Sequence, residues 1–314
     1  MVNLRYDRIN KREVKALEWE RIQLFCVENL IWILILVTFV MFSASNPRFL
    51  EPTTIFSILQ EAGMLGPLAL GLGLCLIAGS FDVSLCRIAG LSLVITGWLC
   101  EFTDLPWFVI IPVPIVIGLT IGIFNGVLIG KLGLNSFLVT LAGYFMWDSL
   151  SRAIMMGRYF PPGRFDPRIL VFGRGRIMDT VFVSTVIFTV LLLLIWFFMK
   201  YTKKGNAIYA VGASVDTARR LGINTKNTTL LVHAVAGALA GICGLFYVGY
   251  AVEIKPIVVP SFYIFHAFVA IAIAGISISG GRGRIINILG GATLIPMTAY
   301  GATMMGAGYE FAYY

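Results

Sequence analysis

Charge is what this chain has least of. Only 13% of its 314 residues are Asp, Glu, Lys or Arg, about half the ~25% of an ordinary soluble domain, while 58% are hydrophobic. No soluble fold of this size can bury so much apolar side chain, and the mean hydropathy of +0.88 makes lipid the solvent for most of it. The net charge of +8 then reads as Lys and Arg holding loops on one side of a bilayer, not as an electrostatic footprint for nucleic acid. Histidine is scarcer still, with only His233 and His266. No C-x-x-C pair occurs among Cys26, Cys75, Cys86, Cys100 and Cys243, so the thiols read as buried side chains rather than a disulfide framework or a zinc site. A phosphate loop is missing as well: Gly130-Lys131 is followed by Leu132, and Asn125 stands where the first glycine of that motif belongs. Ser277 and Ser279 complete no G-x-S-x-G, and His266 lies roughly 16 Å from Ser277 along a helix. The sequence therefore carries no catalytic, metal or cofactor site, and each histidine reads as a polar side chain between helices.

What is present is a series of apolar runs. A helix needs about 20 mainly apolar residues to span hydrocarbon, and nine candidate runs fall at about 24–44, 62–79, 85–101, 106–130, 136–156, 180–199, 229–250, 262–279 and 285–308. The expected fold class is all-α, a polytopic membrane bundle of about nine transmembrane helices (eight to ten), with breaks at Gly79 and Gly275. Residues 1–23 are too long and too acidic for a signal peptide and read as a tail before a single membrane domain over 24–314. Lys and Arg collect in that tail (Arg5, Arg8, Lys11, Arg12, Lys15, Arg21) and in the polar insert 200–228 (Lys200, Lys203, Lys204, Arg219, Arg220, Lys226). Six crossings separate the two, so both should face the cytoplasm. Arg158, Arg164, Arg168, Arg174 and Arg176 oppose this count, and the prolines and glycines around them read as a structured outer loop.

Three polar features interrupt the apolar text. In Ile77-Ala78-Gly79-Ser80-Phe81-Asp82-Val83-Ser84, Asp82 ends an apolar run, where an acid is costly in lipid; it either caps the turn around Ser84 and Leu85 or touches substrate. In the insert, Ser214 reads as the N-cap of a helix from Val215 to Leu221, with Asp216 in its first turn, Arg219 and Arg220 near its end and Gly222 as a left-handed C-cap. Two turns of helix are marginal alone in water, so this one should dock on something through Val215, Ala218 and Leu221. The turn Ser279-Gly280-Gly281-Arg282-Gly283-Arg284 offers two cations, either for the positive-inside rule or for packing beside that short helix. Asn125 reads as an interhelical hydrogen bonder, Asp148 and Arg152 as a local i, i+4 pair, and Glu61 as an interfacial group before the second span.

In this order, the blocks resemble the permease subunit of ATP-binding-cassette importers for ribose, xylose, arabinose, galactose and related sugars. That family's I-A-G-G-I-D-L-S-V-G is close to Ile77 through Cys86, including Gly79, Asp82 and Ser84. Its N-G-x-L-x-x-K-L-G-I-N-P-F-I-V-T-L is close to Asn125-Gly126 through Leu141, including Asn135 and Thr140. Its long-loop motif is similar to Gly205–Asn224, and its G-G-x-S-L-S-G-G-R-G to Ala274 through Gly283, including Gly280, Gly281, Arg282 and Gly283. The resemblance spans about residues 50 to 305. It implies a multi-pass cell-membrane protein that does no chemistry itself and pairs with a second permease subunit. ATPase subunits would power it, and an extracytoplasmic sugar-binding protein would deliver a small sugar, most simply a pentose. The helix at 214–221 becomes the coupling helix to the ATPase, through Ser214, Asp216, Ala218, Arg219, Leu221 and Gly222. A neutral sugar calls for a path of aromatic faces and hydroxyl or amide groups. Cys86-Arg87, Ile264 and His266 depart from the family pattern, and relatives continue past the position of Tyr314 into one further span. A permease for branched-chain amino acids or nucleosides, or a shortened assembly or regulatory subunit, is the competing expectation.

Overall fold

In lipid, a backbone that satisfies its own hydrogen bonds is helical or a closed barrel, and the long apolar runs without period-2 alternation take the first course. The computed structural model describes residues 29–308 apart from 162, 164, 252, 253 and 255–262. The tail 1–23, Cys26 and Arg164 lie outside the described residues.

The apolar helices are α1 (Leu30–Ser45), α2 (Pro52–Ile77) and α3 (Leu85–Phe102), then a composite span in which the short α4 (Trp107–Ile110) leads into α5 (Pro112–Gly126) and a π-turn (Val127–Lys131). They continue with α6 (Ser136–Met155) and, after a short α7 (Pro167–Arg174) and a two-stranded hairpin pairing Arg176 with Phe182, α8 (Val183–Tyr201). The polar insert folds as α9 (Lys203–Ala213) and α10 (Val215–Arg220). The long α11 (Thr225–Tyr250), the shorter α12 (Tyr263–Ile273) and α13 (Asn287–Met304) complete the described chain. Among the described residues, five segments are long and apolar enough to cross a membrane: α2, α3, the composite 107–131, α8 and α11. The shorter α1 and α12 are apolar too, and every expected run coincides with a helix.

The core forms where the helices carry least side chain. Gly118, Gly122, Gly126 and Gly130 recur every fourth residue on one face of the composite span and meet the backbone of α11. An added Cβ would fall 2.1 Å from the Gly237 oxygen at Gly118, 2.3 Å from the His233 oxygen at Gly122 and 2.7 Å from the Lys226 oxygen at Gly130. Small residues at such spacing let helices touch backbone to backbone in membranes. Buried Leu, Ile and Ala of α2, α3 and α11 fill the space around this seam.

Two expectations change. The second span starts at Pro52, ten residues before the expected 62, because Pro at the first turn starts a helix readily while Thr53, Ser57, Gln60 and Glu61 hide its apolar face. Glu61 is consequently half-buried inside the helix beside Tyr263 and His266, and Gln60 Nε2 donates to the Gly173 carbonyl at 2.8 Å. The outer-loop arginines also have defined places. Arg174 donates from Nε to the Gly249 carbonyl (2.6 Å) and from a terminal nitrogen to that of Ala251 (2.8 Å), supplying donors to the last turn of α11. Arg168 lies 5.3 Å over the Trp107 ring and Arg176 4.6 Å over Phe182.

Candidate functional site

The block 77–84 sits at the end of α2, and its shape follows from one glycine. Gly79 takes φ +74°; its N–H reaches the Leu76 carbonyl and the Ser80 N–H that of Cys75, both at 2.9 Å, the two bonds of a Schellman cap. The chain therefore turns inward at Ser80 and buries Asp82 completely.

Asp82 is not left alone there. Its Oδ1 accepts from the Ser84 N–H at 2.9 Å and the Ser84 hydroxyl at 2.6 Å. Its Oδ2 accepts from His233 Nδ1 at 3.1 Å and, at 3.4 Å, from Asn125 Nδ2, which also donates to Ser84 Oγ at 3.1 Å. Beyond the imidazole, His233 Nε2 lies 2.8 Å from Ser80 Oγ. Ser84, His233 and Asn125 are as buried as the acid. A buried acid is tolerated where its lone pairs are filled, and here Ser84 at the start of α3, Asn125 of α5 and His233 of α11 fill them. Thr140 of α6 closes the same loop by accepting from Val83 N–H (3.3 Å) and donating to the Ser136 carbonyl (2.9 Å). Asn135 caps α6, its Oδ1 accepting from Leu138 N–H at 3.2 Å.

The order Ser80, His233, Asp82 is that of a hydrolase triad, but the donors such chemistry needs at an oxyanion are spent. Gly79 and Ser80 N–H bind the carbonyls above, and Phe81 N–H donates to Ser136 Oγ. Ligand atoms of Cys75, Asp82 and His233 also lie within 4.8 Å of one another, a spacing that a cation could bridge. Both carboxylate oxygens and both ring nitrogens already have partners, so the cluster is satisfied as a hydrogen-bond network. Sequence reading set His266 and Ser277 too far apart to pair and named no partner for either histidine; those of His233 lie 151 and 153 residues away, and no linear spacing signals them.

The second block, the insert, meets the first through bare backbone. At the end of α9, an added Cβ on Gly212 would fall 1.8 Å from the Ile77 oxygen; one on Gly280 would fall 2.6 Å from the Gly212 oxygen and 2.9 Å from Gly79 Cα. Gly281 N–H donates to the Ile77 carbonyl at 2.9 Å. Tyr209 donates its hydroxyl to the Gly283 carbonyl at 2.9 Å, with its phenol pKa raised by burial. The end of α2, the end of α9 and the turn 279–284 thus form one junction, with Arg282 and Arg284 exposed on its outside.

From this junction projects α10. Ser214 Oγ accepts from Thr217 N–H at 3.2 Å as its N-cap, and Asp216 faces Arg219 at 3.8 Å. The helix ends at Arg220, one residue short of expectation, because Leu221 is already the C-cap residue before Gly222 (φ +78°). Ala218 is buried at 1% exposure, whereas Val215 (45%) and Leu221 (72%) stand out. The apolar face therefore divides: its middle docks on this chain and its two ends point away.

Between the segment before α3, α6 and α12 lies a different kind of space, a recess of about 480 Å³ walled by Phe81, Phe137, Tyr144, Phe145, Phe265 and Phe268. Behind it Arg87 donates to the Tyr144 hydroxyl (2.8 Å) and pairs with Asp148 (3.2 Å), which Arg152 also contacts at 2.9 Å. The expected Asp148–Arg152 pair is thus one side of a three-charge cluster that includes Arg87.

Apolar helices enclosing a satisfied polar knot, an aromatic recess and a short helix projecting from one end define a multi-pass membrane transport subunit. The chain belongs to the family described as the permease component of the branched-chain amino acid transport system, which it matches over residues 54–312. It is similar to the ribose import permease protein of Haemophilus influenzae, 27% identical over 86% of this chain and 84% of that one. It is also similar to the autoinducer 2 import system permease protein of Photorhabdus laumondii (26%; 87% and 82%) and the fructose import permease protein of Rhizobium meliloti (26%; 85% and 75%). No solved structure matches it.

Proposed function

We propose that this chain is the permease subunit of an ATP-binding-cassette importer, carrying a monosaccharide, most simply a pentose such as ribose, xylose or arabinose, across the cell membrane. The observation that carries this reading is the α10 junction. A capped helix exposes Val215 and Leu221 and is joined to the end of α2 and to the turn 279–284 with no side chain between them. A push on α10 would pass to the membrane helices with little loss, as a coupling helix seated on an ATPase requires. Ser214 and Gly222 fix its ends, Asp216 and Arg219 brace it, Ala218 anchors it, and Leu221 is its contact with the partner.

The aromatic recess supports a sugar as cargo. Ring faces suit the C–H face of a pyranose or furanose, and Tyr144, accepting from Arg87, keeps its own proton to donate to a sugar hydroxyl. The curated relatives for ribose and fructose support the same class. In this reading the cytoplasm holds the tail 1–23 and the coupling loop 200–228, while 24–314 form one permease domain. A second copy of the permease, two ATPase subunits and an extracytoplasmic sugar-binding protein complete the importer, and the chain needs no cofactor and performs no catalysis.

Reconstitution with the ATPase and binding protein tests this directly. Labelled pentose should accumulate in an ATP-dependent way and leucine should not. Uptake of leucine or nucleosides instead would overturn the sugar assignment in favour of the substrate named in the family description. Absence of any ATPase from the purified complex would favour an assembly or regulatory role.

A further inference from the structure

The aromatic recess beside α6 offers a solute very little to hydrogen-bond with. Apart from Tyr144, its described walls are Phe, Val, Leu and Ile side chains. Its volume of about 480 Å³ falls in the range of small-molecule sites, which commonly set a few polar groups in an apolar lining. Here the polar side chains along the described walls reduce to one phenol.

What that phenol can do is decided behind it. Arg87 is only 5% exposed. Its Nη2 donates to the Tyr144 oxygen at 2.8 Å, and its guanidinium carbon lies 4.7 Å over the same ring. Asp148 holds the guanidinium by Nη1 at 3.2 Å. Arginine carries five N–H donors, no acceptor, and keeps its charge in proteins. In this bond the Tyr144 oxygen is therefore always the acceptor, and its own proton must point away from Arg87. No group among the described residues accepts that proton. The recess thus presents one donor of fixed sense, and its remaining described walls carry no polar side chain.

A sugar hydroxyl turned toward those walls gives up its bonds to water and gains none in return. A C–H face or a methyl group loses nothing there and gains contact with the rings. We propose that the recess selects a hydroxyl-poor monosaccharide, a deoxy sugar or one ending in a methyl group, held by a single oxygen that accepts from Tyr144. Arg87 is then a positioning residue: it never touches the cargo, but it keeps the phenol proton directed at it. This specificity rests on the sugar reading above and narrows it to a chemical subclass.

The test is equilibrium binding of labelled sugars to the purified permease–ATPase complex, beside uptake by the complete importer. 2-Deoxyribose should bind about tenfold more tightly than ribose, and Tyr144→Phe should weaken its binding by about tenfold. Arg87→Gln supplies an oxygen that can take the phenol proton. It should cost as much as Tyr144→Phe and add nothing when the two are combined, whereas Arg87→Lys, again a donor only, should keep the binding. Equal or tighter binding of ribose, an unchanged Tyr144→Phe variant, or additive losses overturn the proposal. If Arg87→Gln does not fold, the two sugars and Tyr144→Phe decide alone. Uptake of ribose by the complete importer, with no preference for 2-deoxyribose in the binding assay, removes this inference and leaves the sugar reading standing. Uptake of no sugar removes both.

Discussion

Asp82 states the central cost in one side chain: a carboxylate with no exposure, inside a protein whose surroundings are hydrocarbon. Its four donors make that position tenable, so the single changes around it should not be equivalent. Asp82→Ala strands the His233 ring N–H and the Ser84 and Asn125 donors together, and should destabilise by about 3–5 kcal/mol. Ser80→Ala removes only the outermost bond and should cost about 1 kcal/mol. Equilibrium unfolding in mixed micelles measures both, and similar losses for the two would mean that the network is not organised around the acid. The acid itself was legible in the sequence, because a lone charge at the end of an apolar run demands an explanation. Its partner His233 was not, because the imidazole reaches Asp82 only once α11 has packed along α5. Arg87 escaped for a similar reason: its pairing with Asp148 crosses from α3 to α6. At the junction, Gly212→Ala would place a methyl group 1.8 Å from a carbonyl oxygen and should prevent the insert from docking. Gly222→Ala, with open space around it, should cost only the backbone strain of about 1 kcal/mol. Limited proteolysis of the 200–228 loop would tell the two apart.

Among the elements, α10 makes the sharpest claim. Local signals sufficed to place it: a Ser N-cap, cations near its end and a glycine after it, all within nine residues. Sequence alone did not divide its apolar face between this chain and the outside, since that depends on where α9 delivers it. Leu221→Arg should abolish co-purification of the ATPase while leaving membrane insertion and thermal stability near wild type; retention of the complex would refute the coupling assignment. The loop at 157–179 illustrates the opposite case. Its arginines looked misplaced by charge counting, yet Arg174 serves as a donor for carbonyls at the end of α11 that no later turn can satisfy. Arg174→Met should destabilise by about 1–3 kcal/mol, with hydrogen exchange rising first at the end of α11. The early start of α2 was hidden because its first turns are polar on the side where Gln60 reaches Gly173.

For the whole molecule, the apolar runs were enough to read an all-α membrane protein, since hydrocarbon thickness sets their length independently of how they pack; of the nine expected spans, five among the described residues are long and apolar enough to cross. Their sidedness rests on the distribution of cations, and it makes a direct prediction. Cysteines introduced at Leu221 and at Met178, both well exposed, should react with an impermeant thiol reagent from opposite faces of the membrane. Labelling of both from the same face would invalidate the count of crossings between them. Packing is what the sequence conveyed least, because a glycine every fourth residue in an apolar run is not by itself distinguishable from one that merely tolerates lipid.

That seam between the composite span and α11 has a genetic consequence. All four glycine codons begin with two guanines, and any substitution that changes the amino acid adds at least one heavy atom to the residue. At Gly118, Gly122, Gly126 and Gly130 the nearest atoms of α11 leave no room for even that. A saturation scan scored by growth on the transported solute should find these four positions almost closed to replacement, while Gly90, where an added methyl meets nothing within 4 Å and the backbone is not left-handed, accepts at least alanine. The permease would then be most vulnerable to inherited change at positions with no side chain at all.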